Sequence, residues 1–290
     1  MSARRVQGDM GLLFSSVVAT AQAVEVFDLL SFTIAGNTCV RAQDQAWATA
    51  VATPTSVTAT NGAVAMGTSL TNALTAVKIS YQFPFGEGPL SAASTATPTA
   101  GAQIKLTGAS LTPPAPALWT NIYVETSAGS GVYGLSGRLP LGQPPEFYVS
   151  SYGSAVIPSA SPVTATALAI TQYNFAQTFH GVSNQRKIAN LARIFGSSAD
   201  NQIMVCRKGC FEFDCASATF TQGQFVGPDK DVGNNLLNQQ VVLVPDQSMS
   251  IGRVIYQNPA LLTKVTVDIC STFAVQPAVD SGLNSPGNYP

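Results

Sequence analysis

The chain of 290 residues carries 14 Lys+Arg against 15 Asp+Glu, a formal net charge of −1, and only 10% of its residues are charged. An average soluble domain has about 25% charged residues, so a charged helical bundle or coiled coil is excluded. The balanced charge, with an isoelectric point of about 5.8, argues against a specific nucleic-acid partner held by electrostatics.

Hydrophobic residues make up 46% of the chain, yet no unbroken apolar run reaches the roughly 18 residues of a membrane-crossing helix, so no membrane partner is expected. At about 100 to 200 residues per domain, the length points to two domains. After Arg4 and Arg5 come Gln7, Gly8 and Asp9, where a signal peptide would turn apolar, which predicts synthesis in a cytosol. The stretch from Ser2 to Asp9 has no core pattern and reads as an extended arm.

From residue 12 to 34, short apolar runs at Leu12–Phe14, Val24–Phe27 and Leu29–Leu30, closed by Ala35-Gly-Asn37, predict strands around turns. The composition changes at Thr53-Pro54, and residues 53–165 contain only Lys78, Glu87, Lys105, Glu125, Arg138 and Glu146 as charges. Val77–Phe83 alternates apolar with polar, Pro84–Pro89 turns the chain, and Gln103–Thr107 repeats the alternation. Leu118–Thr126 is rich in aromatic and β-branched residues, and Ala128–Gly131 turns it into Val132-Tyr133. This spacing resembles a fibronectin type III or immunoglobulin-like sandwich, which makes Trp119 or Tyr123 the expected core aromatics. Phe147, Tyr148 and Tyr152 read as strand-end packing residues, with stacking on a sugar as the alternative.

A loop with Pro158 and Pro162 leads into Ala169–His180, where Ile170, Tyr173, Phe175 and Phe179 predict one amphipathic helix stopped by Gly181. Strands are expected at Ile203–Cys206, Gly209–Phe213, Gln239–Val244, Ser250–Ile255 and Lys264–Ile269. The last stretch, Gln276–Pro290, is rich in Pro, Gly, Ser and Asn and reads as a second extended arm.

Groups for chemistry are sparse. The only histidine, His180, falls at the predicted helix end, where capping or surface packing is expected rather than catalysis. Five cysteines, Cys39, Cys206, Cys210, Cys215 and Cys270, cannot all pair, and Cys206, Cys210 and Cys215 lack the close paired spacing of a zinc site, so small apolar packing is expected. Asp229 and Asp231 lie between Pro228 and Gly233 and read as a solvated turn. Gly86–Gly88 and Gly129–Gly131 lack the lysine and the helix of a phosphate loop and read as hairpin turns. Arg186-Lys187 and Arg207-Lys208 are too short a basic stretch for nucleic acid and are expected to be solvated or interfacial. No catalytic residue, cofactor or metal is expected.

Residues 203–273 resemble the small β-barrel of decoration, or cement, proteins on tailed-phage heads. Gly209-Cys-Phe-Glu-Phe213 is similar to that family's G-V-F-E-F strand, Ala218–Gly227 to its turn into the next strand, Ile251-Gly-Arg-Val254 to its I-G-x-V strand, and Lys264–Ile269 to its closing strand. Phe27–Leu30, Asn37–Arg41 and Trp47 resemble its opening strands, and the helix ending at Phe179–Ser183 resembles the segment that follows soon after that tryptophan.

The resemblance implies a mainly β protein: a discontinuous barrel body of residues 1–52 and 166–275 with one short helix, an inserted sandwich of residues 53–165, and a C-terminal arm of residues 276–290. It further implies a structural virion protein, made in the host cytoplasm, that binds and stabilises the outer surface of a phage capsid. Its partners would be the major capsid protein and itself, as a homo-oligomer, expected to be a trimer. The capsid contacts would include Arg4, Arg5, Met10, Leu12, Phe14, Arg186 and Lys187, although Met10, Leu12 and Phe14 could equally sit in the barrel core. The alternative is an adhesion or glycan-binding module on a larger assembly such as a tail or head fibre, with a host-surface glycan bound by the insert.

Overall fold

The computed structural model describes residues 4–7, 13–18, 22–33, 38–47, 51–153, 155–156, 165–187, 202–256 and 258–271. The fold is mainly β, and the chain forms two compact units, Met1–Thr49 with Leu168–Pro290, and Ala50–Ala167. The strands in chain order begin with β1 (Arg4–Gln7), β2 (Leu13–Val17), β3 (Leu29–Phe32) and β4 (Cys39–Arg41). The second unit adds β5 (Thr58–Val64), β6 (Thr75–Phe83), β7 (Gly86–Glu87), β8 (Ser94–Ala96) and β9 (Ala102–Thr107). It continues with β10 (Trp119–Glu125), β11 (Tyr133–Pro140), β12 (Glu146–Val149) and β13 (Ala155–Val156). After helix α1 (Ala167–Thr178) come β14 (Phe179–Ser183), β15 (Gln202–Cys206) and β16 (Lys208–Phe220). The last are β17 (Phe225–Lys230), β18 (Leu236–Leu243), β19 (Gly252–Val254) and β20 (Asn258–Cys270).

The first unit contains the closed barrel. Along β16, Phe211, Phe213 and Cys215 are buried while Glu212 and Asp214 are more open; along β20, Val265, Val267 and Ile269 are buried between Lys264, Thr266 and Asp268. The antiparallel register sets Phe211 opposite Val267 and Phe213 opposite Val265, so both apolar rows face one interior. The ring runs β16–β18–β17–β19–β20 and closes where β20 returns to β16. Its unusual joint is a short parallel pairing of β16 with β18, Asp214 opposite Gln240 and Cys215 opposite Val241.

Because β20 covers one side of β16, β18 and β1 share the other: β1 pairs with residues 210–212, where β18 does not reach. Arg4–Gln7 is therefore a strand of the body, not a free arm, because it satisfies backbone groups that an open edge would leave exposed. Phe175 and Phe179 join the same core with Leu29, and Trp47 packs edge-on against Phe175 while its indole N–H donates to the Ala42 carbonyl at 2.8 Å. Burying one such aromatic side chain contributes about 1.5–3 kcal/mol.

A second sheet in this unit, ordered β2–β15–β14–β3–β4, encloses Val18, Val24, Leu30, Cys39, Ile203 and Val205. Here the expected helix ends early. The chain becomes strand β14 at Phe179, so His180 is a buried strand residue and not a helix cap or a surface group. The reason is pairing: Phe179 lies opposite Ser31 and Gly181 opposite Leu30, a register slip that leaves His180 as the extra residue of a bulge. Strand β17 likewise runs through Pro228 to Lys230, so the turn starts later than expected; Asp231 then accepts the N–H groups of Gly233 (2.7 Å) and Asn235 (2.9 Å).

The second unit is a sandwich. The sheet β13–β11–β10–β6–β7, with β8 paired to β6, and the sheet β12–β9–β5 share a core that includes Ile79, Ile104, Leu106, Ile122 and Val149. Tyr123 is buried as expected, but neither it nor Trp119 belongs to this shared cluster. Ile122 and Val124 take the inward positions of β10, and the period of two sends Trp119 and Tyr123 to the other face. There Tyr123 donates to Glu87 Oε1 (2.6 Å), which also accepts from Asn121 (3.0 Å) and Ser80, while Trp119 lies under Arg138 at 5.2 Å.

Both ends of this unit reach the Glu87-Gly88 segment at the end of β7. A Cβ on Gly88 would lie 3.4 Å from the Val51 side chain, and the Ala165 N–H donates to the Glu87 carbonyl at 3.1 Å. A segment whose ends converge can be inserted into a loop with little disturbance. At the opposite end of β10, buried Glu125 accepts N–H groups from Ala76 (2.8 Å), Gly131 (2.9 Å) and Gly129 (3.2 Å), holding the 126–132 turn. Replacing Glu125 by Ala is expected to destabilise the unit by about 2 kcal/mol, since buried donors to a charged acceptor would lose it. Thermal unfolding of the variant checks this; an unchanged midpoint would show that water replaces the carboxylate.

Candidate functional site

A surface hollow of the first unit, with a volume of about 490 Å³, lies against β19, β20 and the C-terminal end of α1. Its wall is built by strand register. The pairing of β17 with β19 places Phe225 opposite Arg253, and the pairing of β19 with β20 places Arg253 opposite Asp268. The Arg253 guanidinium lies over the Phe225 ring, 4.7 Å from its centre. Lys208, opposite Cys270 on the β16–β20 ladder, lines the same hollow, as do Gln177, Gln247 and Ser248. The Gln177 side chain donates to the Ser248 carbonyl at 3.3 Å, which fixes one rim.

The nearest approach to a catalytic arrangement is interior. Ser16 on β2, Cys39 on β4 and His180 on β14 are buried, with Arg207 following β15, and Phe32 packs on the imidazole at 4.1 Å between ring centres. Arg207 Nη2 lies 3.4 Å from His180 Nδ1, and His180 Nε2 is hydrogen-bonded to Ser16 Oγ. A guanidinium only donates, so Nδ1 accepts, and neutral His180 carries its proton on Nε2 and donates it to Ser16. The imidazole therefore has no lone pair facing Ser16, the reverse of the orientation in which a histidine activates a serine. Burial and then the neighbouring Arg207 charge push the His180 pKa down to about 4, and burial pushes the Cys39 thiol up to about 11.

The other candidate groups are dispersed. Asp231 is spent on its turn, and Asp229 accepts from the Lys230 N–H (2.8 Å) and the Gln240 amide (3.3 Å). Cys206 and Cys215 lie in the barrel core, whereas Cys210 is only half-buried and Cys270 is exposed. Among the described residues no group of three or more His, Cys, Asp or Glu could hold a metal ion. Phe147 and Tyr152 pack against the sandwich core, while Tyr148 is exposed beneath Lys105 at 5.4 Å.

The expected contact residues that the structure describes sit on different elements. Arg4 and Arg5 are in β1, Phe14 is in β2 opposite Val205, and Met10 and Leu12 lie outside the described residues. Arg186 pairs with Glu25 at 3.1 Å, and Lys187 Nζ donates to the Gln22 carbonyl at 2.8 Å, so both are tied to the 22–25 segment of their own unit. Sequence reasoning missed Arg253 and Phe225, which are far apart in the chain and meet only through barrel pairing; the short apolar-charged run of β19 was their sole local signal. Comparisons with protein-family models, with curated proteins and with solved structures found no match to the chain.

Proposed function

We propose that the protein is a structural virion component that binds the outer surface of a phage capsid through its barrel body, as a homo-oligomer expected to be a trimer, and carries the sandwich as a display module. The observation that supports this reading best is architectural: a closed five-strand barrel belongs to a unit interrupted once by a sandwich whose two ends meet at the Glu87-Gly88 segment. Such a plan suits attachment by one part and presentation by another. The motif resemblance of residues 203–273 points the same way, and the Ser16–His180 geometry, with no lone pair aimed at the serine, favours a non-enzymatic role. In this reading the partner is the major capsid protein, and many modest contacts on a repeating shell reinforce one another.

The test is co-sedimentation of the full chain with expanded phage heads, together with the rupture temperature of those heads and the mass of the free protein by sedimentation equilibrium. Binding with a raised rupture temperature is expected, and a variant lacking residues 53–165 should bind equally. Failure of the intact chain to bind or stabilise any head would sink the reading. A second reading, adhesion through the sandwich, draws on exposed Tyr148 with its neighbours Lys105 and Glu146, which lie 2.9 Å apart and could flank a sugar stacked on the ring. Glycan-array binding lost in Tyr148→Ala would select it.

A further inference from the structure

We infer that the hollow walled by β17, β19 and β20 is a docking site for a polypeptide segment that presents a carboxylate side chain. The inference does not depend on the partner being a capsid. It starts from charges left unused. The side chains of Arg253, Lys208 and Asp268 line one hollow, and none makes a hydrogen bond or ion pair among the described residues. The same outer face of β16 and β20 treats its other charges differently: Lys264 reaches Asp214 at 2.6 Å and Glu212 at 3.8 Å. Pairing is therefore available on this surface, and the hollow's groups have not used it.

Arg253 is the clearest case. It faces Asp268 directly across the β19–β20 pair, yet its guanidinium lies on the Phe225 ring instead. A cation–π contact draws on the charge of the guanidinium and not on its N–H donors, so the fork stays available to a ligand. A planar fork matches the two oxygens of a carboxylate. Lys208 adds a second cation to the same hollow.

Asp268 narrows the class further. A phosphate dianion would meet its negative charge, whereas a peptide brings N–H donors that a free carboxylate accepts. Two cations and one anion thus suit a singly charged acid carried on an amide backbone. The Phe225 edge and Ala176 offer apolar contact for the methylene stem of such a side chain.

The experiment titrates the isotopically labelled full chain with the blocked tripeptides acetyl-Ala-Glu-Ala-amide and acetyl-Ala-Gln-Ala-amide and with inorganic phosphate, at equal ionic strength, following the backbone amides of Gly252 and Cys270 by NMR. The Glu peptide is expected to give saturable shifts, with the Gln peptide and phosphate each about tenfold weaker, the scale of one charge-assisted bond. Arg253→Gln, with an unchanged melting temperature, should weaken the Glu peptide about tenfold, and Asp268→Asn should strengthen phosphate more than the Glu peptide. Phosphate binding as tightly as the Glu peptide, equal binding of the two peptides, no saturable shift with any probe, or an Arg253→Gln variant that binds normally would each overturn the inference.

Discussion

Acidification from pH 7 to pH 4 is expected to remove roughly 3 kcal/mol of stability from the barrel-bearing unit through His180 alone. The imidazole is completely buried, stacked on Phe32, and next to the Arg207 charge, and its pKa is pushed from 6.5 down to about 4. In the unfolded chain the same group would titrate near 6.5. Between those values the unfolded state binds more protons, so stability is full above pH 6.5 and is lost as the pH falls toward 4.

Protonation would also strain the hydrogen bonds, since a protonated Nδ1 can no longer accept from Arg207 and would leave two cations facing one another. Cys39, the other titratable group in this cluster, stays a neutral thiol throughout because its pKa is about 11. Asp28 in the same unit acts with the opposite sign: burial raises its pKa, so protonation at lower pH favours the folded state. The measurement is urea unfolding at pH 7, 5.5 and 4 for the natural chain and for His180→Gln, whose amide can still donate to Ser16. The natural chain should lose roughly 3 kcal/mol more than the variant across this range. Parallel pH curves for the two proteins would remove His180 from the explanation.

Gly181→Ala is expected to destabilise the same unit by roughly 3–5 kcal/mol, combining backbone strain with a clash that cannot relax. Gly181 has φ +143°, a region that side chains rarely adopt, and an added Cβ would lie 2.3 Å from the Cys206 carbonyl oxygen and 2.8 Å from Val205. The obstacle is backbone of the paired strand β15, because Val182 lies opposite Cys206 in that ladder. Moving it away would break the β14–β15 pairing, on the side of β14 opposite the β3 ladder that carries the His180 bulge. A loss of the folded signal, or a midpoint lowered well beyond that of an exposed control such as Gly142→Ala, is the expected outcome. Gly142 also has positive φ, at +88°, but nothing lies within 4 Å of its Cβ position, so the control separates strain from collision. Equal effects at the two positions would refute the clash.

Much of the β architecture was legible in local patterns. The alternations at Val77–Phe83 and Gln103–Thr107, like the strand segments expected at Ile203–Cys206 and Lys264–Ile269, each fall within an observed strand, because local apolar patterning marks where a strand can be buried. Faces were harder than strands. Trp119 and Tyr123 are aromatic in a strand, but only the parity set by Ile122 and Val124 shows that they point away from the shared core. Phe179-His-Gly-Val-Ser183 looked like the end of a helix because Phe175 and Phe179 share a helical spacing; pairing with β3 and β15 outweighed that local preference. The candidate hollow was not legible at all, since Phe225, Arg253, Asp268 and Lys208 come from four strands.

By itself, then, the sequence determined which segments could be strands, where turns separate them, and that the surface would be poor in charge: these are properties of composition and of a period of two. Only the tertiary structure decided that β16 closes onto both β18 and β20, that His180 is buried as a bulge, and that Arg253 rests on Phe225 in front of Asp268. The physical reason is that register and pairing are chosen by the joint burial of segments far apart in the chain, and one residue of slip reverses every side chain's face. No local window contains that choice.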